Sequence, residues 1–411
     1  MNNTSIAIIV TLVAIATSAA VFPWALRFAK AHGIVDNPNA RKLQRVPVPV
    51  FGGVVVYMGI LAGGLVLQLL MPNEMLMWGL LAMTVMMAIG TWDDMRDISV
   101  VLRFGIEIAL VVGFIALTGI YIDDLHGLWG IYDLSPWFGI PISVLTGVGI
   151  INAINLIDGV DGYSSGYGMM ACTCFAIAYW TTWNPVMVCM ALVVIGALLP
   201  FFLHNVFGRR SRMFIGDGGT LMLGMMMVVM SFYAMSSKGS LDSMEGRNFC
   251  VPAFLLAVGC IPLFDTVRVM TTRMLRGRSP FKPDKTHLHH LFIDMGFSHL
   301  GAALFILLIN ATVVMSWLLS WQAGWSIDAQ FALVVILGTL VTFGFYQFMK
   351  TQQNGGRVDE EGYPEGSRVW YAMCRVGDWT HREDKRSWRV MRELMDGPML
   401  GRMKMEKAKE S

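Results

Sequence analysis

The chain has 411 residues, of which 55% are hydrophobic and 15% are charged. A soluble protein carries about 25% charged residues, so the composition excludes an ordinary soluble enzyme and predicts an all-α, polytopic membrane protein. The formal net charge is only +2, and we expect a lipid bilayer rather than a nucleic acid as the partner.

Apolar runs long enough to cross a bilayer follow one another along most of the chain. A spanning helix needs about 20 apolar residues, and runs bounded by charges, Gly or Pro predict eleven spans. The first run has no Lys or Arg before it, which favours an uncleaved helix over a cleaved signal peptide. In chain order the predicted spans lie near 5–26, 48–70, 75–92, 101–120, 137–157, 167–182, 185–203, 215–235, 250–270, 301–320 and 328–349.

The basic residues of the loops predict the orientation of these spans, because cytoplasmic loops are rich in Lys and Arg. The loops after the odd-numbered spans up to the ninth hold sixteen basic residues, whereas those on the opposite side hold Lys238 and Arg247. We therefore expect the N-terminus outside, in the periplasm, and the C-terminus in the cytoplasm.

Two adjacent aspartates, Asp93 and Asp94, close the third span in the stretch TWDDMRD. Neighbouring carboxylates repel each other, and a divalent cation or a cationic ligand would relieve that repulsion. The alternative is a solvated helix end beside Arg96. On the opposite side of the membrane, we interpret Asp123, Asp124 and His126 as a solvated interfacial turn.

A second polar stretch, NAINLIDGVDG, follows the fifth span. Asn152, Asn155 and Asp158 recur every three residues, which places them along one stripe of a helix. The glycines that follow break the helix and let Asp161 turn back toward it. These oxygens suit a hard cation or the edge of a sugar nucleotide, and packing alone explains four such groups poorly.

A third stretch, FIGDGGT, places Asp217 at the start of the eighth span. A Gly-rich turn before a helix exposes backbone N–H groups to an anion, as in phosphate sites. A simple helix cap is the alternative.

The stretch RGRSPFKPDKTHLHH follows the ninth span and carries His287, His289 and His290. Zinc is one ligand for three histidines, but the basic surroundings oppose a cation and favour an anion with two phosphates. Upstream, Asp265 and Arg268 lie one helical turn apart, and a plain ion pair would also explain them.

Acidic clusters for a cation and basic clusters for phosphates, all on one membrane face, predict phosphoryl transfer involving a lipid-embedded molecule. A secondary transporter of an anionic metabolite is the main rival, but transporters usually show repeats and a binding site at the midplane. A CDP-alcohol phosphatidyltransferase would need a different aspartate signature, and a non-catalytic scaffold would not need the acidic set.

The motifs resemble those of the polyprenyl-phosphate N-acetylhexosamine-1-phosphate transferase family, of the glycosyltransferase family 4 type. PVFGG is similar to its Pro-x-x-Gly-Gly element, Asp93-Asp94 to its Asp-Asp pair, NAINLIDGVDG to its Asn-Ala-x-Asn-x-x-Asp-Gly-x-Asp-Gly signature and FIGDGGT to its Gly-Asp-x-Gly-Ser/Thr element. The resemblance covers roughly residues 20–350. The His-x-His-His form resembles the branch, undecaprenyl-phosphate GlcNAc-1-phosphate transferase, that starts O-antigen, common-antigen or teichoic-acid linkage synthesis.

This resemblance implies a phosphoglycosyltransferase that moves HexNAc-1-phosphate, above all GlcNAc-1-phosphate, from a UDP-sugar to undecaprenyl phosphate and releases UMP. It further implies a multi-pass protein of the bacterial inner membrane, with its active site on the cytoplasmic face. The implied cofactor is Mg²⁺, with Mn²⁺ as a substitute. Because the family often dimerises, a homodimer is an additional expectation.

The resemblance also implies roles for individual residues. Asp217 is expected to bind Mg²⁺, while Asp158 and Asp161 assist it or hold the nucleotide. Asn152 and Asn155 are expected to orient these carboxylates. Direct in-line attack is favoured over a covalent phospho-sugar on an aspartate.

Asp93 and Asp94 are expected to position the lipid phosphate. Proton removal would be a minor task, because a phosphate monoester is mostly dianionic at pH 7. The donor diphosphate is expected to be held by His287, His289 and His290, together with Arg268 or Arg273.

The sequence predicts a transmembrane catalytic domain at 1–350 and a cytoplasmic C-terminal tail at 351–411. The tail begins with a polar, Gly-rich linker. Beyond it, Trp, Val and Met alternate with basic residues. This pattern is typical of either a small helix on the anionic inner leaflet or a disordered basic segment.

Overall fold

Helices dominate the computed structural model, and the β-strands of the part it describes form only two short antiparallel pairs. The structure describes residues 2–36, 47–96, 98–239, 241, 244, 247–281, 286–354, 357–358, 364–365, 368–381, 390–392 and 394–396. The paired strands are β1 (Val35–Asp36) with β2 (Val48–Pro49), and β3 (Arg357–Val358) with β4 (Pro364–Glu365).

The helices follow the predicted apolar runs. They are α1 (Asn3–Ala31), α2 (Gly52–Leu70), α3 (Glu74–Arg96), α4 (Val100–Thr118), α5 (Pro136–Leu156), α6 (Tyr163–Thr181), α7 (Pro185–Phe207), α8 (Gly216–Met235), α9 (Val251–Val258), α10 (Cys260–Leu275), α11 (Leu288–Asp294), α12 (His299–Gln322), α13 (Ile327–Thr339), α14 (Phe345–Asn354) and α15 (Arg368–Thr380). A π-helical turn, Leu340–Gly344, joins α13 to α14.

The predicted polytopic all-α fold is confirmed. Within the described residues, nine helices are long and apolar enough to cross a membrane, if α13, the π-helical turn and α14 are counted as one helix, Ile327–Gln353. The bent pair α9 and α10 makes a tenth. The predicted span near 167–182 coincides with α6, which has 19 residues and is not among those ten.

The predicted span at 250–270 is broken rather than continuous, since α9 and α10 meet at 75°. Pro262 has no N–H to donate to the preceding turn, so the carbonyl of Val258 needs another partner. The Asn310 side chain of α12 supplies it: its Nδ2 lies 3.1 Å from the Ala257 and Val258 carbonyls, and its Oδ1 accepts from the N–H of Ile261. Freed backbone groups at membrane depth require such partners.

Helix α8 lies at the centre of the bundle. In its apolar stretch 89% of the residues are buried, compared with 28% in that of α1. It packs on α2, α3 and α5. Glycines make the closest approach possible, because a Cβ on Gly90 of α3 would meet the backbone of Asp217 and Gly218. The first turn of α8 is therefore pressed against the last turn of α3.

The PVFGG motif fastens the start of α2 to the segment that precedes α8. The N–H of Gly52 donates to the Phe214 carbonyl at 2.9 Å, and that of Gly53 donates to Ile215 at 2.7 Å. A Cβ on Gly53 would overlap the backbone of Gly219. These glycines thus serve packing around the first turn of α8.

The described part of the C-terminal tail contains a helix, α15, which packs against α12 and α14. Its buried residues, Trp370, Cys374 and Gly377, recur at helical spacing on one face. Residues 368–380 are therefore helical, as in one of the two alternatives for the tail, and the contact of this helix with the inner leaflet stays a prediction.

Candidate active site

Asp217 occupies the first turn of α8, and its side chain is 37% exposed. The Nδ2 of Asn155 donates to Asp217 Oδ1 at 2.7 Å and to the Thr220 hydroxyl at 2.9 Å. Two motifs about 60 residues apart in the sequence therefore meet through one amide, which fixes the direction of the Asp217 carboxylate.

Asp94 caps the N-terminus of α8 from the end of α3. Its carboxylate accepts from the N–H groups of Asp217, at 2.9 Å, and of Gly218, at 3.1 Å. Gly216 has a φ of +72°, and a Cβ there would crowd Asp94. The Gly-rich turn thus exposes N–H groups to an anion as predicted, and the anion in this structure is Asp94 itself. A carboxylate at this end also complements the helix dipole.

Asp93 points elsewhere, although it is the neighbour of Asp94. It is 8% exposed, and its carboxylate accepts from the Ile98 N–H at 2.9 Å and from Arg103 at 3.2 Å. The two aspartates therefore have separate tasks, since Asp93 holds the turn between α3 and α4 whereas Asp94 holds α8.

Two residues near this site were missed by the sequence reasoning, Arg103 and Glu107 of α4. The Arg103 guanidinium lies 3.2 Å from Asp93, 3.6 Å from Glu107 and 3.9 Å from Asp217. Glu107 is 1% exposed and accepts a hydrogen bond from the Asn152 amide. A lone glutamate inside an apolar run is the signal that would have found it, because ionisable residues in spans are usually functional.

Asn152 and Asn155 thus share a stripe, as the spacing predicts, but they orient Glu107 and Asp217. We expected them to orient Asp158 and Asp161 instead. The difference arises because α5 ends at Leu156, so the two aspartates lie beyond the helix and outside its stripe.

The acidic cluster has the chemistry of a magnesium site. Three carboxylates, those of Asp93, Glu107 and Asp217, lie within 4 Å of the Arg103 guanidinium. Among the described residues, no three His, Cys, Asp or Glu side chains are grouped closely enough to hold a metal by themselves. Mg²⁺ does not need such a cage, because it commonly binds one or two carboxylates, several waters and substrate phosphates. Asp217 and its neighbours fit that pattern.

Asp158 and Asp161 lie in the signature loop, residues 157–162. Asp158 is exposed and accepts a hydrogen bond from the Ser164 hydroxyl at 2.7 Å. Asp161 forms an ion pair with Arg212, and its carboxylate lies 3.1 Å from Nδ1 of His299. Burial alone would raise the pKa of Asp161, but the hydrogen bond and charge of His299 and the charge of Arg212 outweigh it and lower that pKa.

The signature loop is also tied to α7. Gly162 has a φ of +80°, and its N–H donates to the side chain of Asn205 at 2.7 Å. The Asn205 amide in turn donates to the Met213 carbonyl at 2.9 Å. One buried asparagine therefore connects the loop to the segment leading into α8.

Asp265 of α10 contacts the described part of the stretch RGRSPFKPDKTHLHH, residues 276–290, which we call the histidine segment. Its carboxylate lies 3.0 Å from Nδ1 of His287 and 2.6 Å from the Arg268 guanidinium. Arg268 also donates to the Thr286 carbonyl and stacks over the Tyr346 ring at 3.7 Å. The plain ion pair considered for Asp265 and Arg268 is thus present.

Arg273 is buried and donates to the Pro280 carbonyl at 2.6 Å. Both predicted phosphate-binding arginines therefore brace the histidine segment in this structure, and their contact with a diphosphate stays a prediction. Two lysines counted in that segment, Lys282 and Lys285, lie outside the described residues.

His289 joins the histidine segment to the signature loop, because a Cβ on Gly159 would overlap its imidazole. Its ring stacks on that of His287, with centroids 5.7 Å apart, and packs at a tilt of 45° against that of His290, at 4.3 Å. Burial, reinforced by the neighbouring histidines, lowers the pKa of His289 well below its usual value. His289 therefore offers an anion a hydrogen bond rather than a positive charge.

These features define the class of protein: a polytopic helical membrane protein with an acidic site where the ends of its helices meet a histidine segment. A sequence model of the family described as glycosyl transferase family 4 matches residues 76–235. This range runs from α3 to α8 and includes the acidic site.

Similarity to individual proteins supports the same family. The undecaprenyl-phosphate alpha-N-acetylglucosaminyl 1-phosphate transferase of Escherichia coli (strain K12) is 30% identical over 293 residues, 70% of this chain and 77% of that protein. The probable undecaprenyl-phosphate N-acetylglucosaminyl 1-phosphate transferase of Bacillus subtilis (strain 168) is 30% identical over 309 residues, 74% and 82% of the two chains. A Yersinia pestis relative is 29% identical over 287 residues, 69% and 76%. The chain belongs to glycosyl transferase family 4, and the resemblance inferred from its motifs is confirmed.

Proposed function

We propose that this protein transfers HexNAc-1-phosphate, with GlcNAc-1-phosphate as the first candidate, from a UDP-sugar to undecaprenyl phosphate. UMP leaves, and the product starts a lipid-linked glycan of the cell surface, such as O-antigen or another lipopolysaccharide or cell-wall polymer. The names of the relatives support the acceptor and the transferred group. The observation that carries the proposal is the meeting of Asp217, Asn155 and Asp94 where α3, α5 and α8 end or begin.

The reaction must overcome charge repulsion between its two substrates. The acceptor phosphate carries about −1.5 to −2 charges at neutral pH, and the donor diphosphate is also an anion. Two unit charges 4 Å apart repel by about 4 kcal/mol at an effective dielectric constant of 20. A site for this reaction therefore needs cationic groups and firm positioning of both phosphates.

Asp217 would hold Mg²⁺, or Mn²⁺ in its place, and the Asn155 amide would keep its carboxylate in position. The bound ion would neutralise phosphate charge and stabilise UMP as the leaving group. The Asp94 carboxylate, by capping α8, sets where Asp217 stands. Its main contribution is positioning rather than proton removal, as is that of Asp93.

The signature loop and the histidine segment would hold the donor. Asp158 is exposed, so its carboxylate would be available to a substrate hydroxyl or to the nucleotide. His287 has its Nδ1 occupied by Asp265, which leaves Nε2 for a phosphate oxygen. His289 and His290 lie beside it. The Lys and Arg residues of the loops predict that the side of the membrane that carries these groups is cytoplasmic.

Release of UMP by the purified protein tests the proposal. UDP-GlcNAc should yield UMP only when undecaprenyl phosphate and Mg²⁺ are both added, EDTA should stop the reaction, and Mg²⁺ or Mn²⁺ should restore it. A transporter or a scaffold would release none. Competition between UDP-GlcNAc and UDP-GalNAc would then identify the sugar.

The stereochemistry at phosphorus tests the order of bond changes. With a donor that is chiral at the transferred β-phosphorus, direct attack inverts the configuration. Retention would instead indicate two displacements through a covalent intermediate on an aspartate.

A further inference from the structure

The C-terminal tail reaches the loop between α7 and α8, residues 208–215, through Asp396. Asp396 is 6% exposed, and its carboxylate accepts from the backbone N–H groups of Arg209, Arg210 and Ser211 at 3.1 to 3.2 Å. The Ser211 hydroxyl also donates to it at 2.9 Å. Successive N–H groups that converge in this way form an anion-binding concavity, and here the tail supplies the anion.

The loop that Asp396 holds also carries Arg212, the partner of Asp161. Arg212 directly follows Ser211, the last of the N–H donors, in the chain. Any loosening of the loop would therefore move Arg212 relative to Asp161 in the signature loop.

A second part of the tail holds the other partner of Asp161. At the end of α15, the Thr380 hydroxyl accepts from the Ser298 N–H at 2.9 Å, and the Ser298 hydroxyl donates to the Thr380 carbonyl at 3.3 Å. Thr380 packs so closely on Gly301 that a Cβ there would lie 2.6 Å away. Ser298 is the N-cap of α12, and the next residue is His299.

We infer that the C-terminal tail is a positioning element of the active site. Asp396 holds Arg212, and Thr380 holds His299, so that the two side chains pair with Asp161 from two sides. The inference rests on the proposed function, which places Asp161 in the transfer site. Ligand-binding loops belong to the least stable parts of a structure. Two separate contacts from the tail would keep the signature loop ordered.

Turnover of point variants in the full chain tests this idea. Asp396→Asn removes the negative charge with little change in shape, and Thr380→Val removes the hydroxyl but keeps the methyl contact with Gly301. Each should lower kcat by about three- to tenfold, corresponding to a change of about 1 kcal/mol. Asp378→Asn is the matched control, because it removes the same charge from an exposed position of the same tail, and it should leave kcat unchanged.

Double variants separate positioning from general support of the fold. In an Arg212→Gln background, Asp396→Asn should have no further effect on kcat, whereas Thr380→Val should keep its effect. In a His299→Asn background the order should reverse. Equal losses in all backgrounds would show that the tail only supports the fold, and would overturn the inference.

Hydrogen exchange gives a readout that does not require turnover. Asp396→Asn and Thr380→Val should each speed amide exchange of peptides from the signature loop by about threefold or more, whereas Asp378→Asn should not. Unchanged protection of that loop in both variants would overturn the inference. If the wild-type protein released no UMP but the variants loosened the loop, the proposed function would fail and the anchoring would stand.

Discussion

Aspartates lie at both ends of α8, and the two ends use them differently. Beyond its C-terminal end, the Asp123 carboxylate accepts from the N–H and the hydroxyl of Ser237 at 2.7 and 2.9 Å. Asp124, 6% exposed, accepts from the N–H of His126. This turn is more buried than the solvated one we expected, and these two carboxylates hold nearby main chain in place.

At the N-terminal end, carboxylates also hold main chain, but three of them also converge on one guanidinium. Asp93, Glu107 and Asp217 all lie within 4 Å of Arg103, whereas Asp123 and Asp124 each hold a separate piece of main chain. The comparison teaches that an aspartate that holds main chain is not by itself a functional signal. The convergence of several ionisable groups on one point is what marks the site.

The largest expected effect is that of Asp217→Asn. Turnover should fall by about 10³-fold or more at saturating Mg²⁺, because a bound metal ion contributes several kcal/mol to such a transition state. The thermal midpoint should stay within a few degrees, since the amide keeps the volume and an acceptor for Asn155. Near-normal UMP release by this variant would contradict the assignment of Asp217 as a metal ligand. It would also mean that the two ends of α8 do not differ in their importance for turnover.

Arg103→Met should lower stability as well as activity. It leaves the buried Glu107 and Asp93 without their cation, and breaking a buried pair costs about 3 kcal/mol. Adding Glu107→Gln should restore part of the thermal midpoint. Arg96→Met, at an exposed position of α3, is the control, and an equal loss there would show that Arg103 is not special.

Gly159→Ala should reduce turnover by about tenfold, because its Cβ would displace His289 from the signature loop. Gly149→Ala on the preceding helix has open space around it and should be silent. The overlap should also lower the thermal midpoint of Gly159→Ala. Removing the imidazole in the double variant Gly159→Ala/His289→Ala should relieve the overlap and restore the thermal midpoint. Full activity of Gly159→Ala would show that the contact between His289 and the signature loop is not needed for turnover.

The smallest effect is expected at the other end of α8. Asp123→Asn should cost about 1 kcal/mol or less in stability, the usual net value of such hydrogen bonds, and should leave turnover unchanged. A large loss of activity in steady-state assays would mean that both ends contribute to catalysis.

Most of the fold could be predicted from the sequence, because a segment in lipid must satisfy its backbone hydrogen bonds internally. Apolar runs therefore indicate helices almost by themselves. The break between α9 and α10 could not be predicted in this way, since its freed carbonyls are satisfied by Asn310 from another helix.

The sequence by itself determined the helices and the motifs at their ends, including Asn155 and Asp217. Only the tertiary structure decided the partners. Neighbours on a helix, such as Asp93 and Asp94, point about 100° apart, and their roles follow from which helix each one meets. Arg212 and Asp396 belong to no local pattern, because their contacts with Asp161 and with the loop at 208–215 join segments far apart in the chain.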